Sequence, residues 1–273
     1  MPPPQTTSPS AESAPHAVVH ATDWPRFLRQ SLGFWLVMAV YVPAMLTLLL
    51  LTWGRAAHTS APRLVRWWGR TMLRNVGVRL VLEPALVAEL AVRRRRVLTF
   101  NHASTMDIML ISAIWPDGAV AVVKREMLWI PLMGQLIYFL NFLPLHRGDR
   151  ARASASLRAA AQRMRQHELT VMLAPEGTRS PSGGVETFKL GAFHLAAAAD
   201  APILPLVLHG TRQLWPRWQR HCAPGVVTAR LLSAEPSGAG GAPDGTTLRS
   251  RAEALRQRYV TTLAAMDAEL PPR

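Results

Sequence analysis

Directly after a short apolar run the chain brings an imidazole and a carboxylate close together. Residues 97–100 read VLTF and pass straight into NHASTMD, which sets His102 and Asp107 five positions apart. Histidine titrates near neutrality and can take a proton from a hydroxyl; a carboxylate on its far ring nitrogen fixes the tautomer and stabilises the imidazolium. The same letters have a plainer reading. Ser104 near a helix N-terminus and Asp107 three positions on make a capping-box arrangement, in which the carboxylate serves backbone N–H groups and the ring is a bystander. A second cluster, APEGTRSPSGG at residues 174–184, puts Glu176 and Arg179 on either side of Gly177 and Thr178. Guanidinium grips phosphate through paired hydrogen bonds, yet the same stretch is also compatible with a turn closed by a local Glu176–Arg179 ion pair. In LPLHRGDR, residues 143–150, Arg147 follows another apolar run. APILPL, residues 201–206, has no titratable group and can only line a pocket or close a sheet.

Each of these stretches hangs on the end of a strand-like segment. Strands are expected at Val97–Phe100, Ala119–Val123, Phe142–Leu145, Thr170–Leu173, Ile203–Leu208 and Val226–Leu231. Helices are expected at Thr105–Ile114, Ala151–His167, Gly191–Ala199 and Thr247–Leu270, with a loop at PSGAGGAPDG before the last of them. This alternation is the rhythm of an α/β domain. In an open α/β sheet ligands bind at the carboxyl rim of the strands, which is where His102 would lie.

The N-terminal part is different in kind. Residues 1–25 are rich in Pro, Ser and Ala and are expected to form a disordered tail. The run QSLGFWLVMAVYVPAMLTLLLLTWG from Gln30 to Gly54 carries no charge. At about 25 residues it exceeds the ~20 that a helix needs to cross a bilayer core. Trp24, Trp35 and Trp53 suit the interfaces, while Pro43 either kinks a spanning helix or splits the run into a re-entrant hairpin. Arginines follow the run more densely than they precede it, which puts the C-terminal bulk in the cytoplasm. Pro62–Leu80 alternates arginine with Trp, Leu and Met and is expected as an amphipathic helix on anionic lipid. The division expected is a membrane segment with its amphipathic helix over residues 26–76 and a catalytic domain over residues 77–273. A net charge of +14, from 31 basic and 17 acidic residues, calls for an acidic partner, and no nucleic-acid-binding signature is present. The single cysteine, Cys222, excludes an internal disulfide.

In order and spacing, the chemistry-bearing blocks resemble the glycerolipid acyltransferases, specifically the 1-acyl-glycerol-3-phosphate acyltransferases. NHASTMD looks like the family's His-x4-Asp block and APEGTRS like its Glu-Gly-Thr-Arg block. LPLHRGD looks like the arginine block, with His146 at a position where a different polar residue is usual, and APILPL like the proline-containing block. Residues 123–136 and 187–202 are similar to bacterial members, and the resemblance covers roughly residues 80–215.

The resemblance implies a mixed central sheet flanked by helices and a reaction that moves an acyl group from acyl-CoA or acyl-carrier protein to the sn-2 hydroxyl of lysophosphatidic acid. His102 would be the base and Asp107 its orienting partner. Arg179, Gly177 and Thr178, with Lys124 and Arg147, would bind the acceptor phosphate, and Glu176 would orient Arg179 or a hydroxyl. No cofactor or metal is implied beyond the thioester co-substrate. A bacterial inner membrane with the catalytic domain on its cytoplasmic face is the implied place, and membrane phospholipid a partner. Within the family the acceptor could equally be another lysolipid such as lyso-ornithine lipid. Outside it stand a metal-dependent hydrolase using His102, Asp107, Glu176 and His194, and a non-catalytic basic protein of the membrane surface.

Overall fold

The computed structural model describes residues 22–269, apart from 54, 56–60, 132, 146–149 and 239–244. Most of the expected tail, and Arg147, therefore lie outside the described residues. Seven strands form the sheet: β1 Val78–Leu82, β2 Arg96–Phe100, β3 Ala119–Lys124, β4 Leu143–Leu145, β5 Thr170–Leu173, β6 Ile203–His209 and β7 Gly225–Leu231. Their order is β1-β7-β6-β2-β5-β3-β4. Every neighbouring pair is parallel except β6 with β7, so the sheet is mixed, as expected. Near-continuous Val, Ile and Leu suits strands covered on both faces, and β6 is buried at every position.

The period of two along the strands sorts side chains into two cores. Leu98, Met172 and Leu206 face one layer; Val97, Val171 and Val207 face the other. The first layer holds α1 Trp24–Leu51, α2 Ala61–Asn75, α3 Pro84–Ala91, α4 Met106–Ala113 and α5 Met133–Phe139. The second holds α6 Arg150–His167, α7 Gly191–Ala199 and α9 Gly245–Ala268, while the single turn of α8, Thr211–Leu214, caps β6. Tyr259 of α9 is buried and ties two central strands together: its hydroxyl donates to the Thr99 carbonyl at 2.9 Å and accepts from Leu206 N at 3.2 Å.

Two expectations about the N-terminal part need correction. The helix expected over Pro62–Leu80 stops at Asn75, because Gly77 takes a left-handed φ of 77° and the alternating VRLVL that follows pairs with β7 as β1. The apolar run is one unbroken helix through Pro43 rather than a hairpin. At 28 residues, α1 is long and apolar enough to cross a membrane.

One side of α1 is nevertheless built into the domain. Tyr41, Val42, Met45 and Leu49 join the first core. The Gln30 amide exchanges two 2.9 Å bonds with the Cys222 backbone, and Asn75 Nδ2 donates to the Gln30 carbonyl at 2.9 Å. Gly33 makes that approach possible, since a Cβ there would fall 1.9 Å from Asn75 Oδ1. Residues 26–76 thus share a core with the sheet that follows them.

Candidate active site

β2 delivers Asn101 and His102 to the rim, where side chains take over from the ladder. Asn101 bonds Leu208 in both directions, donating at 3.0 Å and accepting at 2.8 Å, and so holds the ends of β2 and β6 together. The main chain of His102 is gripped from the β5 side. Its N–H donates to Glu176 Oε1 at 2.8 Å, and its carbonyl accepts from Ser180 N at 2.8 Å.

Asp107, in the first turn of α4, is wholly buried. Its Oδ2 accepts three bonds at 2.8 Å: from His102 Nδ1, Ala103 N and Ser104 N. The two sequence readings are therefore not rivals, because one oxygen answers backbone N–H groups at the helix entrance and also holds the ring. The capping detail differs from a capping box: Thr105 is the N-cap residue without a side-chain cap bond. Ser104 Oγ accepts from Met106 N at 3.1 Å and donates to the Trp215 carbonyl at 2.7 Å. Asp107 Oδ1 is buried without a hydrogen-bond partner. With Nδ1–H committed to the carboxylate, His102 Nε2 keeps its lone pair, and the ring is 19% exposed.

Glu176 does not orient Arg179. It is buried, taking the His102 N–H on Oε1 and the Glu186 N–H on Oε2 at 3.1 Å, and no ion pair joins it to Arg179. A two-residue turn through Gly177 separates the groups, so one points inward and the other toward the rim. Burial pushes the Glu176 carboxyl up to about 7, against the downward pull of its two N–H bonds. Arg179 Nη1 donates instead to Thr105 Oγ1 at 2.7 Å, which brings the guanidinium to the entrance of α4, two residues from Asp107.

Gly177 has a φ of 71°, and a Cβ there would meet Lys189 Nζ at 2.7 Å. Lys189 is an ammonium group over this loop that the motif reading overlooked. The signal was available, since Lys124 and Lys189 are the only lysines in a strongly basic chain. Thr178 is exposed on the same turn. Lys124 ends β3 on the same rim, exposed, with Nζ 3.9 Å from Glu126 Oε2. The structure thus gathers His102, Asp107, Gly177, Thr178 and Arg179 with Lys189, and sets Lys124 farther along the rim. No group of three or more His, Cys, Asp or Glu suited to a metal ion occurs among the described residues, and His194 is exposed on α7.

A largely parallel α/β sheet with a carboxylate-held histidine beside cations on its rim defines a class of protein equipped to deprotonate a hydroxyl next to an anionic group. Comparison with known proteins narrows the class. A family model described as Acyltransferase matches residues 85–209. The chain is similar to 1-acyl-sn-glycerol-3-phosphate acyltransferase beta of Homo sapiens, 30% identical over 203 residues, which cover 74% of this chain and 71% of that protein. It is also similar to the 1-acyl-sn-glycerol-3-phosphate acyltransferase of Cocos nucifera, 31% identical over 189 residues, 69% of this chain and 60% of that one. The crystal structure of the 1-acyl-sn-glycerophosphate acyltransferase from Thermotoga maritima matches with a TM-score of 0.71 and 26% identity, covering 89% of this chain and 98% of that chain. The chain belongs to this acyltransferase family. It spans between 50% and 60% of the length of the first curated relatives it matches.

Proposed function

We propose that the protein transfers a fatty acyl group from an acyl thioester, acyl-CoA or acyl-carrier protein, to the sn-2 hydroxyl of 1-acyl-glycerol-3-phosphate, giving phosphatidic acid. The observation that carries this reading is the 2.8 Å bond between His102 Nδ1 and the buried Asp107 carboxylate, with Arg179 docked at the same helix entrance. The acceptor hydroxyl gives its proton to His102 Nε2 as its oxygen attacks the thioester carbonyl. Collapse of the tetrahedral adduct breaks the C–S bond, and the departing sulfur takes the proton back from the imidazolium. No side chain is acylated. Asp107 balances the transient positive charge on the ring; Arg179 with Gly177, Thr178, Lys124 and Arg147 binds the acceptor phosphate. Glu176, assigned to the substrate site from its motif, acts here through the His102 main chain as a positioning residue. The division into an anchoring segment over residues 26–76 and a catalytic part over residues 77–273 belongs to the same reading. So does a place on the cytoplasmic face of a bacterial inner membrane.

The test is the purified full chain with a labelled acyl thioester and a panel of acceptors that includes lysophosphatidic acid and lyso-ornithine lipid. Phosphatidic acid is the expected product, and His102→Ala should abolish it without unfolding, because the bonds to Glu176 and Ser180 come from the main chain. Product formation by His102→Ala, or exclusive use of a phosphate-free acceptor, would overturn the assignment.

A further inference from the structure

Outside α1, three exposed apolar side chains fall in one short stretch: Trp129 at 81% exposure, Ile130 at 50% and Tyr138 at 74%. They sit on a hairpin made of the 3₁₀ turn Arg125–Trp129 and α5. The hairpin is held in a fixed shape. Gly134 N donates to the Ile130 carbonyl at 2.8 Å, and Gly134 lies so close to the preceding turn that a Cβ would fall 2.0 Å from the Leu128 oxygen. Leu136, Ile137 and Leu140 bury the inner side of α5, which turns Tyr138 outward. Burial on one side therefore sets the exposure on the other.

The occupant is indicated by what adjoins the hairpin. α5 packs against α1, whose outward side leaves Leu32, Trp35, Leu36 and Val40 exposed. The hairpin continues that apolar surface. Trp and Tyr, with an apolar body and a polar tip, are the side chains that favour a membrane interface. Exposed Lys124 and Arg125 stand at the base of the hairpin, and α2 exposes Arg63, Arg70 and Arg74, charges that suit anionic headgroups. We propose that the Arg125–Phe139 hairpin is a second membrane-inserting element, which carries Trp129, Ile130 and Tyr138 into the headgroup–acyl boundary of an anionic phospholipid bilayer beside α1. The catalytic part then touches lipid with its own fold, and β3, which ends in Lys124, brings the rim to the lipid surface. This contact is independent of the acyl-transfer reading, and its test reads no activity.

The experiment places single thiols for an environment-sensitive probe in the full chain by Trp129→Cys, Tyr138→Cys and Ala254→Cys. Ala254 is exposed on α9, in the layer across the sheet from α1. Cys222 does not compete, being buried with its thiol pushed up to about 12. Protein is reconstituted in vesicles of phosphatidylcholine and phosphatidylglycerol, and quenching by spin-labelled lipid is compared with quenching by aqueous iodide. An interfacial element lies roughly 5–10 Å into the boundary, so lipid should quench positions 129 and 138 while iodide quenches position 254. Iodide quenching at 129 or 138 as strong as at 254 overturns the proposal. Equal lipid quenching at all three positions overturns it as well, since that would mark adsorption without a preferred face.

Discussion

Asp107→Asn separates what the carboxylate does for the fold from what it does for the chemistry. An asparagine can turn its amide oxygen to the place of Oδ2 and keep all three donors, His102 Nδ1, Ala103 N and Ser104 N. The amide NH2 then occupies the place of Oδ1, which is buried without a partner. Replacing a charged acceptor by a neutral one costs about 1 kcal/mol per bond, and a buried donor without an acceptor about 1–3 kcal/mol more. The total, on the order of 4 kcal/mol, lowers the melting temperature but stays below the roughly 5–15 kcal/mol of a stable domain. The chemistry loses far more, because the imidazolium formed in the transition state no longer faces a negative charge. The analogous lesion in a Ser-His-Asp triad costs about 10⁴ in kcat. The assay is phosphatidic acid formation per folded molecule, with the folded fraction taken from a melting curve at the assay temperature. Specific activity within about tenfold of wild type, equivalent to about 1.4 kcal/mol in the barrier, would refute the orienting role and leave Asp107 as a helix-entrance residue alone.

Arg179→Lys should leave the melting temperature almost unchanged, since no partner ion pair is lost. It should cost roughly 1.5–3 kcal/mol, about 10–150-fold in efficiency, toward phosphate-bearing acceptors and much less toward others; equal losses across acceptors would remove Arg179 from the phosphate site. For Glu176 the expected effect is on stability against pH. Its carboxyl rises from 4.5 to about 7 on folding, so the native state holds the proton more tightly and its stabilising share is complete below 4.5 and lost as pH climbs through about 7. The loss is on the order of 3 kcal/mol. Denaturation midpoints at about pH 5 and pH 8 should fall in wild type and stay level in Glu176→Gln; parallel falls would place the titration elsewhere.

Strand interiors and motif positions were legible because each is written in contiguous residues. Thr170–Leu173 and Gly191–Ala199 coincide with β5 and α7, and the remaining expected strands differ from the structure by one residue at an end. β1 was not legible, since Arg79 among Val78, Leu80 and Val81 reads equally as one more turn of the amphipathic helix, and only the left-handed Gly77 separates the two. The His102–Asp107 pair could be read from spacing alone. The partners of Glu176 could not: a carboxylate next to an arginine in sequence suggests an ion pair, whereas burial turned it toward the backbone of a residue 74 positions away. Lys189 escaped because it lies beyond the motif and reaches the site only by folding across Gly177.

The grip of the β5 loop on the His102 main chain has a consequence for biosynthesis. β2 and β5 run parallel, with Thr99 opposite Leu173, and the bonds from Glu176 and Ser180 extend that alignment past the ladder. A slip of one residue would displace the base from the guanidinium by about 3.3 Å and turn the side chains to the wrong faces. A ribosome-bound chain that has emerged only through α6 already carries the imidazole and its carboxylate, yet has neither the clamp nor the arginine. Competence is acquired in one step when the second of these strands docks, so truncated or stalled chains are predicted to be inert rather than partly active.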